Sequence, residues 1–203
     1  MRVSAFEEEV IVPLPGHVTP ARHARSTVLI GSVSSIRELG RFDEYLSHLP
    51  LAHQETLLGA VAGTWIAIDV ALAHYEACDA LHFSVDQQVQ NGRVTFEKNR
   101  GTILGTIVKL AREGGVSPWN VLPLFQRFWD RSYDGGGVRV VKLGPKEARL
   151  ELVAVRIVDS RYYRNALRGL VMGVTELFCN KAYVTETPGK RGPGTVSYRL
   201  QWA

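Results

Sequence analysis

A chain of 203 residues that is 45% hydrophobic, 22% charged and 9% aromatic has the composition of one medium globular domain. Two cysteines, Cys78 and Cys179, exclude a disulfide-stapled scaffold and suit a reducing cytoplasm. The net charge of +4 is uneven: residues 1–100 carry 8 Lys+Arg against 12 Asp+Glu, and residues 101–203 carry 16 against 8. The two halves are therefore suited to pair with each other, or the basic half to meet an anion.

The opening MRVSAFEEEV is acidic, unlike a secretory leader. Residues 1–25 hold Pro13, Pro15, Gly16 and Pro20 and are expected to form an irregular arm, with a short strand at Val10 to Val12. A first amphipathic helix is predicted from Ser26 to near Leu49-Pro50. A long helix follows over about Gln54 to Leu81, with Leu57, Val61, Trp65, Ile68, Leu72 and Tyr75 as its core stripe. Its longest uncharged apolar run, Thr56 to Ile68, stops at Asp69, short of the roughly 20 residues of a membrane span. The next helix is placed at about Val85 to Glu113. Ile103, Ile107 and Leu110 mark its inner face, Gly101 and Gly105 would allow close approach of a neighbour, and Gly114-Gly115 would end it.

Ser117 reads as an N-cap with Pro118 at the first helical position. The helix it opens carries Trp119, Phe125, Phe128, Trp129 and Tyr133 and stops at Gly135-Gly136-Gly137. Val138 to Leu143 and Arg149 to Val158 then read as strands joined by Gly144-Pro145-Lys146. Asp159 or Ser160 caps a helix to about Cys179, with Tyr163, Ala166, Leu167, Leu170, Val171 and Val174 on one face. Ala182 to Glu186 is a strand, TPGKRGPG a flexible basic hairpin tip, and Val196 to Trp202 an alternating, half-buried strand. The predicted class is α+β: a single domain over residues 26–203, with N-terminal helices packed on a small antiparallel sheet of about four strands in β-β-α-β-β order.

The segments STVLIGSVSSIRELG, WNVLPLFQRFWDRSYDGGG, VKLGPKEARLELVAV and RYYRNALRGLVMG, with the closing YRLQW, resemble an uncharacterised paralogous domain abundant in myxobacteria. The resemblance covers roughly residues 26–203. That domain is in turn similar to the superfamily of vinyl-reductase-type sensory domains, TRAPP small subunits and haem nitric-oxide-binding domains. The resemblance implies a non-enzymatic protein that senses a small ligand or forms helix-mediated dimers and scaffolds. Zinc-binding members carry a cysteine cluster near the domain end, where this sequence has Cys179 alone. Haem-binding members carry an axial histidine and a Tyr-x-Ser-x-Arg pattern, and here the order is Val196-Ser197-Tyr198-Arg199. No cofactor and no metal are therefore expected.

Three constellations stand out. Arg161, Arg164 and Arg168 share one side of the late helix, two of them in its first turns. Cations are unfavourable there and an anion is welcome; the alternative is a solvated face, or pairing with acids such as Glu7 to Glu9. His74, Cys78 and His82 are four apart and would share a face only if the helix runs past His82. Trp129 and Tyr133 carry polar tips on apolar bodies and are the best candidates to rim a cavity or interface, within an aromatic set that otherwise reads as core. No nucleophile elbow or phosphate loop is present.

These features favour a non-catalytic cytoplasmic signalling or scaffold domain. It would form a homodimer and bind a partner protein or a small apolar or anionic ligand, with no membrane span. One alternative is an enzyme whose pocket pairs His74 with Asp79, or Glu76 with an arginine. Another is weak anion or nucleic-acid binding by the basic half, nucleic acid being the less expected partner.

Overall fold

Alternating apolar and charged residues in the C-terminal half build a sheet on which the helices rest. The computed structural model describes residues 7–103, 117–188 and 192–203. Strands β4 (Gly137–Gly144), β5 (Glu147–Val153), β6 (Ala182–Glu186) and β7 (Val196–Trp202) pair antiparallel, joined by β1 (Glu9–Val12) in the order β1-β4-β5-β7-β6. Val138, Val140, Leu150, Leu152, Tyr198 and Leu200 are buried beneath the helices. The residues between them pair across the other face: Arg149 Nε lies 2.7 Å from Glu151, Arg199 Nε 2.6 Å from Glu147, and Arg139 3.6 Å from Glu151. This period of two is what a sheet with one covered face requires.

The class is α+β, with one strand more than expected. The extra strand comes from the arm, where Glu9 stands opposite Lys142 and Val10 opposite Val141. The arm also supplies β2 (His23–Arg25), which pairs with β3 (Trp65–Ala67) in a separate ribbon. Acids of the first half meet bases of the second: Arg149 binds Glu8 at 2.8 Å and Arg156 binds Asp69 at 2.8 Å.

The helices depart further from expectation. The first divides into α1 (Ser26–Glu38) and α2 (Phe42–His48) because Gly40, at φ +67°, ends α1 in the left-handed conformation. The long helix over Gln54 to Leu81 does not form. Instead α3 (Leu51–Leu58) stops at Gly59, Gly63 turns the chain at φ +85°, and α4 (Ile68–Ala80) begins after β3. Glycines and the β-prone Thr64-Trp65-Ile66 outweigh the helical spacing of the apolar residues. Val61 and Trp65 are consequently exposed, whereas Leu57, Ile68 and Tyr75 are core.

Helix α5 (Val85–Ile103) starts as expected. Gly105, Ile107, Leu110, Gly114-Gly115 and the loop residues Lys190 and Arg191 lie outside the described residues. Ser117 caps as expected, accepting from Trp119 N, while its own N–H donates to Asn120 Oδ1. What it opens is two 3-10 turns, Pro118–Asn120 and Leu122–Leu124, before α6 (Phe125–Ser132). Pro123 lacks the N–H that a continuous helix would need there. The strand expected to reach Val158 ends at Val153, and Arg156–Asp159 is a 3-10 turn. Helix α7 (Arg161–Thr175) is capped by Ser160 Oγ, which accepts from Tyr163 N at 3.1 Å. No helix among the described residues is long and apolar enough to cross a membrane.

Candidate functional site

Helix α7 lies over the inner sheet face, flanked by α5 and α6. The three elements leave a cavity of about 150 Å³ between them. Leu150 and Leu152 form its floor, Tyr163, Leu167 and Val171 one wall, and Phe128, Trp129 and Tyr133 the opposite wall. Val28 and Ser32 of α1, Tyr75 of α4, and Gly92 and Thr95 of α5 also line it. Among the described residues the lining has no Asp, Glu, Lys, Arg or His.

The polar atoms on this lining are few and mostly paired. The Tyr133 and Tyr163 hydroxyls share a hydrogen bond of 2.9 Å. Trp129 Nε1 donates to the Gly135 carbonyl at 2.8 Å, and its ring lies 4.2 Å from that of Tyr133, centre to centre. The Tyr162 hydroxyl accepts from Asn91 Nδ2 at 3.3 Å. Burial pushes the Tyr75, Tyr133, Tyr162 and Tyr163 phenols well above their ordinary range. These groups stay protonated at neutral pH, so the cavity offers neutral chemistry only.

Trp129 and Tyr133 thus both face the cavity, as buried wall. The arginine row is placed differently. The α7 N terminus does hold an anion, but it belongs to the chain: the Asp79 carboxylate accepts from Arg161 N at 3.0 Å and Tyr162 N at 2.6 Å. Arg164 is buried and donates to the Val158 and Asp159 carbonyls, both at 2.9 Å, and to Glu186 at 3.2 Å. Arg168 donates to the Val184 carbonyl and to Asn165 Oδ1, both at 3.0 Å. Two of the three arginines therefore fasten α7 to the edge strand β6. The Arg161 side chain lies in solvent. Glu8 and Glu9 pair with Arg149 and Lys142 instead.

The set His74, Cys78 and His82 is split, because α4 ends at Ala80 and His82 is exposed at φ +53°. His74 is fully buried, with Nδ1 2.8 Å from the Tyr45 hydroxyl and Nε2 3.7 Å from Cys78 Sγ. Burial lowers its pKa to about 3. Asp79, which could have partnered it in an enzyme, is turned to α7. No group of three or more His, Cys, Asp or Glu able to hold a metal ion occurs among the described residues.

Sequence reasoning missed the floor of the cavity and Ser32. The alternation of β5 marks Leu150 and Leu152 as inward, but no local pattern marks which inward residues face a void.

Comparison with solved structures places this arrangement of helices over an antiparallel sheet. An Fe(II) unliganded H-NOX protein variant from K. algicida aligns over 88% of this chain and 96% of its own, at 12% identity and a TM-score of 0.62. The chain has the H-NOX fold. An oxygen-binding H-NOX domain related to soluble guanylate cyclases, in its oxygen complex, covers 88% of this chain and 94% of its own at 13% identity, with a TM-score of 0.55. A structure probing haem distortion in the H-NOX family gives the same coverage at 12% identity and a TM-score of 0.57. No family model and no curated protein matches the sequence.

Proposed function

We propose that this chain is a non-catalytic sensory domain that holds one small apolar molecule in the cavity between α7, α6 and the sheet. The observation that carries this reading is the cavity itself: about 150 Å³, uncharged, and walled by aliphatic and aromatic side chains. A dry apolar cavity of that size accommodates a molecule as large as benzene. The H-NOX neighbours, one from a study of haem distortion and one an oxygen-binding domain related to soluble guanylate cyclases, support a sensory rather than catalytic role. In this reading the protein works in the cytoplasm and passes ligand occupancy to a second copy of itself or to a partner protein. The apolar side chains left in solvent on and after α3, Leu51, Leu58, Val61 and Trp65, support such a contact.

Haem does not fit these residues. The buried histidine, His74, gives Nδ1 to Tyr45, faces Cys78 with Nε2, and does not reach the cavity lining. The lining offers no thiolate or thioether for the iron and no cation for propionates among the described residues. The ligand is therefore a small organic molecule rather than a porphyrin. Titration with benzene, followed by tryptophan fluorescence and thermal melting, tests the reading. Saturable binding with a spectral change at Trp129, lost in Trp129→Phe while the melting shift remains, is expected. No saturable binding of benzene or cyclohexane overturns it.

A further inference from the structure

Ser32 stands apart from the other serines of α1. Ser26 Oγ donates to the Val61 carbonyl at 2.7 Å, Ser34 to Glu38 at 3.3 Å, and Ser35 to the Gly31 carbonyl at 3.1 Å. That last bond, back to the residue four earlier, is the ordinary resting place of a helical serine hydroxyl. Ser32 is 6% exposed and lines the cavity, yet its Oγ makes no hydrogen bond. The Tyr162 hydroxyl and the Cys78 thiol are its nearby polar neighbours, and the Ser32 hydroxyl favours the ionised form of each, but neither meets hydrogen-bonding geometry with it. An unsatisfied buried hydroxyl destabilises a fold, so one held at the wall of a cavity calls for a partner inside it.

We infer that Ser32 is the polar contact of the bound molecule, and that the cavity takes a compact neutral ligand with one hydroxyl or carbonyl on an apolar body. This rests on the reading of the cavity as a ligand site. Charge is excluded because no ionic side chain among the described residues lines the space. Most of the other polar groups are already engaged: Tyr133 with Tyr163, Tyr162 with Asn91, Thr95 with the Asn91 carbonyl, and Trp129 with Gly135. A buried, unpaired hydroxyl in a largely apolar surround orients a ligand by one end and leaves the rest to shape. The volume limits that ligand to about seven non-hydrogen atoms.

Calorimetric titration of the wild type and Ser32→Ala with cyclohexanol and cyclohexane tests the inference. Cyclohexanol affinity is expected to fall about tenfold in Ser32→Ala, the effect of one neutral hydrogen bond, with cyclohexane unchanged. Equal cyclohexanol affinity in both proteins overturns the assignment of Ser32 and leaves the cavity reading standing. Equal loss of both ligands in Ser32→Ala makes Ser32 structural and also overturns it. Failure of the wild type to bind either molecule overturns the cavity reading beneath it. Ser32→Cys, close in volume and a weaker donor, should fall between wild type and Ser32→Ala for cyclohexanol.

Discussion

His74 sits where a proton would be costly. It is fully enclosed, bonded to Tyr45 through Nδ1, and holds its pKa near 3 against 6.5 in an unfolded chain. Below pH 6.5 the unfolded state takes up a proton that the native state refuses, so this contribution is complete above pH 6.5 and is lost as the pH falls towards 3. Each pH unit inside that window removes about 1.4 kcal/mol, so on the order of 2 kcal/mol goes between pH 6.5 and pH 5. Urea unfolding of the wild type should show this loss, and His74→Gln should show a flatter profile over the same window. Parallel profiles would mean that His74 does not titrate differently in the two states. Ser32→Ala should move the other way from a typical core truncation, raising stability by about 1 kcal/mol in urea unfolding as an unsatisfied hydroxyl leaves the interior. A gain in stability with a loss in cyclohexanol affinity would mark the residue as kept for binding.

Helices α5 and α7 approach closely at two glycines, with side-chain hydrogen bonds such as Asn165 to Gln88 at 2.7 Å beside them. A Cβ built on Gly92 would lie 1.8 Å from the Ala166 carbonyl oxygen, and one on Gly169 would lie 1.9 Å from that of Val89. Both clashes are with backbone, which cannot rotate away. Gly169→Ala should therefore cost about 3 kcal/mol or more, measured as a lowered denaturation midpoint, although alanine is the better helix former. This crossing also shows what could and could not be read beforehand. Gly101 and Gly105 carried the helix-approach signal, while the approach is made at Gly92 and Gly169, and Gly92 has no glycine partner at helical spacing to mark it. Strands β6 and β7 and the hairpin were legible because period-two alternation survives in each. Gly59 and Gly63 sat within a perfect helical stripe, and only pairing of Trp65–Ala67 with the distant His23–Arg25 settled that segment as strand. The arginines of α7 carried a correct electrostatic argument with the wrong anion, since Asp79 is 82 residues from Arg161 in sequence. Arg164→Glu would thus act on folding, by burying an acid beside Glu186 and two carbonyls.

At the scale of the molecule, the cavity is a place where α1, α4, α5, α6, α7 and the sheet fail to meet, and no stretch of sequence encodes a gap between six elements. Most of the aromatic residues that line it were visible as a set, yet as a set they read more readily as core. Filling the gap separates the two meanings. Leu167, on the wall formed by α7, can be enlarged to tryptophan so that the indole occupies the space a ligand would take. Benzene at one hundred times its dissociation constant should stabilise the wild type by about 2.7 kcal/mol, because a molecule that binds only the native state draws the unfolding equilibrium towards it. In Leu167→Trp that increment should vanish while the unliganded denaturation midpoint is kept or raised, since the substitution exchanges a void for contacts. A stability that instead falls by more than about 2 kcal/mol, as overpacking of a filled core produces, would mean that the space is already closed in solution. Light scattering of both proteins with and without benzene then separates the two proposed recipients of the signal: transfer to a second copy requires the apparent mass of the wild type to change with ligand and that of Leu167→Trp to remain fixed, and an unchanged wild-type mass leaves a partner protein as the recipient.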